Sequence, residues 1–177
     1  MSVHALPDEL EAGLPEILES PSSAGIVDLI VRRPAVGLRE VLEEGALDVD
    51  QGLVGDRWHT PGADTDRGTQ VTLMNSRVIA LVAGDRERWP LAGDQLYIDL
   101  DLRPENLPPG TRLTVGSALL EVTDASHTGC AKFTERFGSA AVRFVNSPSG
   151  RALRLRGMYA RVVVPGTVRP GDAIRKL

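Results

Sequence analysis

The sequence has little of several things that would point to particular classes of protein. It has one cysteine, Cys130, so no disulfide can form within the chain. Aromatic residues make up only 4% of the 177 residues, and no basic, aromatic-bearing surface of the RNA-binding type is recognisable. No apolar run approaches the roughly 20 residues of a membrane-spanning helix, and the first residues lack the basic and apolar parts of a secretory signal. We therefore expect a reduced, cytoplasmic protein that binds neither nucleic acid nor membranes.

Charge is distributed unevenly along the chain. Residues 126–177 carry eight Arg and two Lys against two acids, which is 10 − 2 = +8, whereas residues 1–125 carry ten Arg against 22 acids, which is 10 − 22 = −12. Such a split favours an anion-binding surface in the last third, or two halves that fold together and neutralise each other's surfaces. The sequence leaves both interpretations open.

The pattern of apolar residues predicts a short helix followed by many strands. Residues 7–20 have apolar positions at helical spacing, and from residue 24 onward short β-branched runs alternate with turn residues. We predict a helical appendage over residues 1–23 and a mainly β, barrel-like domain with a few peripheral helices over residues 24–177. The main predicted strands are Ile26–Val31, Gln70–Leu73, Gln95–Leu100, Arg112–Val115, Ala118–Val122 and Met158–Val164.

Further local signals predict helices and turns between these strands. Asn75 is a suitable N-cap for a helix from Ser76 to about Ala83. Helices are also predicted over Cys130–Phe137 and Ala140–Phe144, with a turn at Ser147–Gly150.

Cys130 is the first candidate for chemistry. A thiolate is a nucleophile, a soft metal ligand and a sulfur carrier, and flanking His127 and Lys132 would lower its pKa if they face it. A buried structural cysteine is the plain alternative. A zinc site that adds Asp56 and His59 to His127 and Cys130 is a further, weaker alternative, because structural zinc sites use paired short spacings.

Two other segments carry groups suited to binding an anion. The Gly-rich segment around Gly55-Asp56-Arg57 offers close backbone approach, an acceptor and a bidentate donor, or it is simply a hydrogen-bonded turn. If residues 151–161 are extended, Arg154 and Arg156 point to one face, which suits a phosphate or carboxylate. The alternative for that pair is a solvated strand face.

Taken in order, several segments of the sequence resemble a MOSC domain, the module named for the C-terminal part of molybdenum cofactor sulfurases. The resemblance covers about residues 24–177, and Gly129 stands where many members have proline directly before the cysteine. The matching segments are Gly55-Asp56-Arg57, Gln70–Leu73, the Glu105-Asn106-Leu107 stretch, Gly116-Ser117-Ala118, Gly157–Ala160 and Gly171-Asp172.

The resemblance implies a barrel-like fold and a functional role for Cys130. In the family this cysteine is thought to ligate the molybdenum of a bound pterin cofactor or to carry sulfur as a persulfide. The resemblance therefore implies a molybdenum-cofactor-binding protein, an oxidoreductase or a component of one with a separate electron donor. A sulfur carrier is one alternative. Its sulfur is expected to come from a separate cysteine desulfurase, because no pyridoxal-phosphate domain precedes residue 24. A cofactor-free domain that binds another anionic small molecule is the other.

The residues assigned to the site follow from these hypotheses. Cys130, as metal ligand or nucleophile, is expected to work with His127 and Lys132. The residues expected to bind the anionic pterin are Gly55, Asp56, Arg57, Asn106, Arg154 and Arg156.

Overall fold

Seven strands close into a barrel in the computed structural model of the protein, which describes residues 4–177. The strands of the described chain are β1 (Ala24–Arg32), β2 (Glu40–Val41), β3 (Gly45–Asp48), β4 (Gly52–Leu53), β5 (Val71–Asn75), β6 (Leu96–Asp99), β7 (Arg112–Val115), β8 (Ala118–Val122), β9 (Met158–Val164), β10 (Gly166–Val168) and β11 (Ala173–Lys176). The helices are α1 (Pro7–Leu18), α2 (Ser76–Ala83), α3 (Ala131–Phe137), α4 (Ser139–Asn146) and α5 (Pro148–Ala152), with 3-10 helices η1 (Arg67–Thr69) and η2 (Arg86–Ala92).

The barrel closes in the order β1-β6-β5-β9-β8-β7-β11, and β11 then pairs with β1. Ala24 lies opposite Arg175 at that closing pair. All neighbouring strands are antiparallel except β5 and β6, which run parallel and are connected through α2 and η2. A small sheet, β10-β3-β4, adds to this frame. The predicted fold class, mainly β with peripheral helices, is confirmed.

Two apolar clusters occupy the two faces of the barrel wall. Leu73 of β5 belongs to the cluster inside the barrel, whereas its neighbour Met74 belongs to the cluster under the helices. Successive strand residues point to opposite faces, so a strand covered on both sides is apolar throughout. Leu10 of α1 and Phe137 of α3 are fully buried in the outer cluster. The helices therefore pack on the outside of the barrel. Within residues 4–177, no helix combines the length and the apolar character that crossing a membrane requires.

Local sequence signals placed several elements correctly. The predicted bounds of α2, β7, β8 and β9 agree with the structure. The Asn75 side chain accepts a hydrogen bond from the backbone N–H of Arg77, which is the predicted N-cap contact.

The prediction for residues 147–156 was wrong in two respects. Ser147–Gly150 is not a simple turn: Ser147 caps α5, and its side chain accepts a hydrogen bond from the N–H of Gly150. The chain is also not extended through Arg154 and Arg156, because β9 begins only at Met158. Arg154 instead has a left-handed backbone, with φ of 51°. The two arginines therefore do not share a strand face.

We expect Gly157→Ala to destabilise the protein more than the same change at Gly171. Both glycines have positive φ, 110° and 92°, and an alanine there costs about 1–3 kcal/mol in backbone strain. At Gly157 the added Cβ would also lie 2.4 Å from the carbonyl oxygen of Leu73, whereas at Gly171 it would meet nothing within 4 Å. Denaturant titration of both variants measures the difference. Equal losses would show that β5 and β9 do not approach each other this closely.

Candidate functional site

A cleft of about 390 Å³ opens beside the C-terminal end of η2. Its walls come from the chain after β1, the chain after β4, α3 and the start of β9. Among the described residues that line it, Glu135 is the only acid, whereas six side chains are cationic. The cations are Arg33, Arg39, Arg57, Lys132, Arg136 and Arg156. The cleft therefore presents a strongly positive surface.

Four of these arginines are anchored on four successive backbone carbonyls at the end of η2. Arg39 Nε donates to the carbonyl oxygen of residue 90 at 3.1 Å, and Arg136 Nη1 donates to that of residue 91 at 2.8 Å. Arg156 Nη2 donates to the carbonyl of residue 92 at 2.9 Å, and Arg33 Nη1 donates to that of residue 93 at 3.0 Å. The carbonyls at a helix end attract cations, which offsets the repulsion of four guanidinium groups held close together. We call this arrangement the arginine–carbonyl ladder.

Asp56 holds one member of the ladder in place. Its carboxylate accepts hydrogen bonds from Nε and Nη2 of Arg33, at 3.0 and 2.7 Å, and also from the backbone N–H of Arg33 and Trp58. Burial opposes ionisation of Asp56, but these bonds outweigh it and lower its pKa below the usual value. Asp56 is therefore positioned to orient Arg33, and its carboxylate is already fully engaged within the protein.

Asp94 organises the floor of the cleft. Its side chain is completely buried; one carboxylate oxygen lies 2.6 Å from Nη1 of Arg156 and the other 3.0 Å from Nε2 of His127. Burial alone would raise the pKa of Asp94. The charge of Arg156 and the hydrogen bond to His127 outweigh that effect and lower the pKa below its usual value, so the carboxyl group is ionised. Arg156 also lies over the Phe133 ring, with its guanidinium carbon 4.9 Å from the ring centroid.

His127 is neutral near pH 7, contrary to the sequence prediction that it supplies a positive charge. Burial lowers its pKa, and the bond to Asp94 does not fully offset that effect. Because Nε2 lies beside an ionised carboxylate, Nε2 carries the ring proton and donates a hydrogen bond to Asp94. Nδ1 is therefore unprotonated and can accept a hydrogen bond. The His127 ring also packs against Tyr159, with ring centroids 4.6 Å apart.

The side chains of two cleft cations make no hydrogen bond or ion pair with any described residue. They are Arg57, on the loop after β4, and Lys132, in the first turn of α3; both are exposed. The four ladder arginines are preset by the fold, whereas these two are available to a ligand. Trp58, half-buried in the wall beside Arg57, adds an aromatic surface, and its Nε1 donates to the Thr69 hydroxyl at 3.3 Å.

Cys130 is exposed and lies on the segment between His127 and Lys132, which both line the cleft. Partial burial raises the pKa of the thiol, but the backbone N–H groups of Phe133 and Lys132 and the charges of Arg156 and Arg136 together lower it. The thiolate is thus stabilised mainly by the first turn of α3 and by two ladder arginines. The interpretation of Cys130 as a buried structural residue is wrong, because the side chain is exposed.

We expect Cys130 to react with iodoacetamide faster than the thiol of a model peptide at slightly acidic pH. Only the thiolate reacts, and a pKa below the usual 8.5 or so leaves more thiolate present as pH falls. The measurement is the alkylation rate against pH, followed by intact mass. In Arg136→Gln the midpoint should move to higher pH. A folded protein whose thiol reacts only after denaturation would contradict the exposed placement.

Residues 91–175 match the model of the MOSC domain family. Over these residues the chain is similar to a MOSC domain. Comparison with the curated proteins gave no match.

Solved structures share the fold at low sequence identity. The YUAD protein from Bacillus subtilis is 19% identical, with a TM-score of 0.63, over 85% of this chain and 94% of that one. YiiM from Escherichia coli is 18% identical, with a TM-score of 0.55, over 86% and 69% of the two chains. YiiM from Geobacillus stearothermophilus is 14% identical, with a TM-score of 0.53, over 88% and 73%.

The fold brings together only part of the site expected from sequence. Arg57, His127, Lys132 and Arg156 all line the cationic cleft, and Cys130 lies beside it. Gly55 is exposed next to Arg32, with φ of 86°.

Asn106 and Arg154 do not line the cleft. The Asn106 amide nitrogen donates to the carbonyls of Ser22 and Asp101, and its oxygen accepts from Nζ of Lys176. Nη1 of Arg154 donates to two carbonyls, those of Leu102 and Leu107, so it ties the chain after β6 to the chain after α5. Both side chains hold the fold together through backbone carbonyls.

The zinc hypothesis is not supported by the arrangement of donors. No group of three or more His, Cys, Asp or Glu side chains that could hold a metal ion occurs within residues 4–177. Asp56 is engaged by Arg33, and His127 by Asp94.

Sequence reasoning missed Arg33, Arg39, Asp94 and Arg136. These residues stand in unremarkable segments, and only the folded chain brings them to the end of η2. The charge asymmetry gave an incomplete signal: three of the six cleft cations, Arg33 among them, come from the acidic first part of the chain.

Proposed function

We propose that the protein binds the molybdenum cofactor in the cationic cleft, with Cys130 as the protein ligand to the metal, and acts as an oxidoreductase or a component of one. The MOSC family is associated with molybdenum cofactor binding. The observation that carries the proposal for this chain is an exposed thiol of lowered pKa beside a cleft lined by six cations.

The residues present fit such a cofactor. The pterin carries a phosphate in its unconjugated form, and the uncommitted Arg57 and Lys132 offer charged donors to it. A cleft of about 390 Å³ falls within the range of roughly 300–1,000 Å³ typical of small-molecule sites. Trp58 offers a flat surface for a ring system.

The chain's own residues then have separate tasks. Arg57 and Lys132 would bind the phosphate of the cofactor. The ladder arginines, which the fold already holds in place, would supply a positive field without rearrangement. Cys130 would supply a soft thiolate ligand. His127, held by Asp94, keeps Nδ1 as a proton acceptor at the cleft. The bound cofactor would supply the redox chemistry, with electrons from a separate donor protein.

Metal analysis tests this proposal most directly. Protein purified from a molybdenum-replete host should contain molybdenum, and Cys130→Ser should lose it, because a hydroxyl is a harder and far less acidic ligand. Thr128→Ser, a change at an exposed position on the same segment, is the matched control and should retain the metal. Absence of molybdenum from the wild type, or its full retention in Cys130→Ser, would contradict the assignment.

The same exposed thiol supports a second function, that of a sulfur carrier. The Cys130 thiolate would attack the terminal sulfur of a cysteine desulfurase persulfide, form a new S–S bond and release the desulfurase cysteine as thiolate. Mass spectrometry after incubation with a desulfurase and cysteine would then show one added sulfur on Cys130. If neither metal nor added sulfur is found, a domain that binds another anionic small molecule becomes the better account.

A further inference from the structure

A second cavity, of about 250 Å³, borders the cationic cleft. His127 and Arg156 line both spaces, and the rest of the second cavity is made by other residues. Neither Arg57 nor Lys132 reaches it. The pair held by Asp94 therefore stands between two separate spaces, and only one of them is used by the proposed function.

Three arginines and one acid line this second cavity, so its walls are net positive. The arginines are Arg151, Arg154 and Arg156, and the acid is Asp124. Arg154 uses only Nη1 for the carbonyls that anchor it. Arg151 is exposed and donates from Nε to the carbonyl oxygen of Asn146. Both arginines thus have N–H groups left to offer a ligand.

Arg156 is the third cation of the cavity wall. The residue is only 6% exposed, yet its buried Nε has no hydrogen-bond partner among the described residues. A buried donor without a partner costs free energy, and such groups are rare in folded proteins.

The segment after β8 adds further donors. The hydroxyls of Ser126 and Thr128, both on the cavity wall, make no hydrogen bond to a described residue. The backbone N–H groups of residues 124–128 are likewise unpaired within the described chain. The other side of the cavity is apolar, with Val145 and Met158.

We propose that this second cavity binds a small oxyanion, a carboxylate or a phosphate, through Arg151, Arg154, Arg156 and the hydroxyls of Ser126 and Thr128. Its volume of about 250 Å³ is smaller than that of the cleft and suits a small anion. Arg57 and Lys132, the two cleft cations proposed to hold the cofactor, take no part in this second site.

Titration of the metal-free full chain with inorganic phosphate, sulfate and acetate tests the proposal. Calorimetry should resolve two anion sites in the wild type. Arg151→Gln/Arg154→Gln should weaken one of them at least about tenfold, and Arg57→Gln/Lys132→Gln should weaken the other. If the second cavity binds phosphate more tightly than acetate, it is a phosphate site. If it binds acetate more tightly than phosphate, it is a carboxylate site.

A second variant guards against a loss of folding caused by removing Arg154. Ser126→Trp keeps all three arginines and places a bulky ring at the exposed wall of the cavity. It should abolish the second binding event while the thermal unfolding midpoint stays unchanged. One binding event in the wild type, lost only in the Arg57/Lys132 variant, would overturn the proposal. Because no molybdenum is involved, failure of the proposed cofactor function leaves this result readable.

Discussion

Replacing Asp94 by alanine is expected to lower the free energy of unfolding by about 3–5 kcal/mol. The change leaves the buried Arg156 guanidinium without its countercharge, and Nε2 of His127 without its acceptor. Removing one partner of a buried ion pair costs far more than removing one from a surface pair, because the remaining charge stays out of water. Denaturant titration at neutral pH measures the effect.

The matched control is Asp50→Ala. Asp50 also pairs with an arginine, Arg67, but the two side chains are 75% and 53% exposed. Loss of an exposed pair is expected to cost about 0–1 kcal/mol. Equal effects of the two substitutions would show that Asp94 is not the buried anchor of the cleft.

The Asp94 interaction also sets a pH dependence. Its pKa is lower in the folded protein than in the unfolded chain, so the stabilisation is fully present above the usual aspartate pKa of about 4. It is lost as pH falls through the folded-state pKa. The Asp94→Ala variant should therefore lose less stability than the wild type on acidification over that range.

The second large effect is expected from Arg57→Gln/Lys132→Gln on anion binding in the cleft. Each lost charged hydrogen bond costs about 1.5–3 kcal/mol, so the two together should weaken binding on the order of 10²–10⁴-fold. Neither side chain has a partner among the described residues, so the free energy of unfolding should hardly change. Titration with inorganic phosphate and denaturant titration separate the two quantities.

The control must remove the same charge elsewhere. Arg143→Gln/Arg175→Gln also removes two exposed arginines that have no side-chain partner among the described residues, and neither lines the cleft. It should leave phosphate affinity within a few-fold of the wild type at moderate ionic strength. A comparable loss in both double variants would mean that net charge, and not the geometry of the cleft, governs binding.

The sequence predicted those parts of the structure that local chemistry decides. Asn75 followed by an apolar helical face specifies α2, and the β-branched runs specify β8 and β9. The reactive character of Cys130 was also visible, because polar, glycine-bearing neighbours argue against a core cysteine. The origin of its lowered pKa was not visible in the sequence. The backbone N–H groups of Phe133 and Lys132 lower that pKa, followed by the charges of Arg156 and Arg136, whereas His127 is neutral.

What failed depended on contacts between distant segments. The pattern around Arg154 and Arg156 alternates as a strand would, but the helix capped by Ser147 and the left-handed backbone at Arg154 keep the chain from being extended there. Asp94 gave no signal at all, because an aspartate after a glycine is ordinary in a turn. Its role exists only once Arg156, 62 residues later, is brought beside it.

The arginine–carbonyl ladder also has a consequence for the order of events during folding. Its four guanidinium groups come from positions 33, 39, 136 and 156, so contacts spanning most of the chain must form before they meet at the end of η2. Contacts this distant in sequence form slowly, because loop closure must come first. A nascent or truncated chain therefore has no cationic cleft to offer. If the protein binds an anionic cofactor as proposed, loading would follow completion of the barrel, and binding of the cofactor would report that the whole chain has folded.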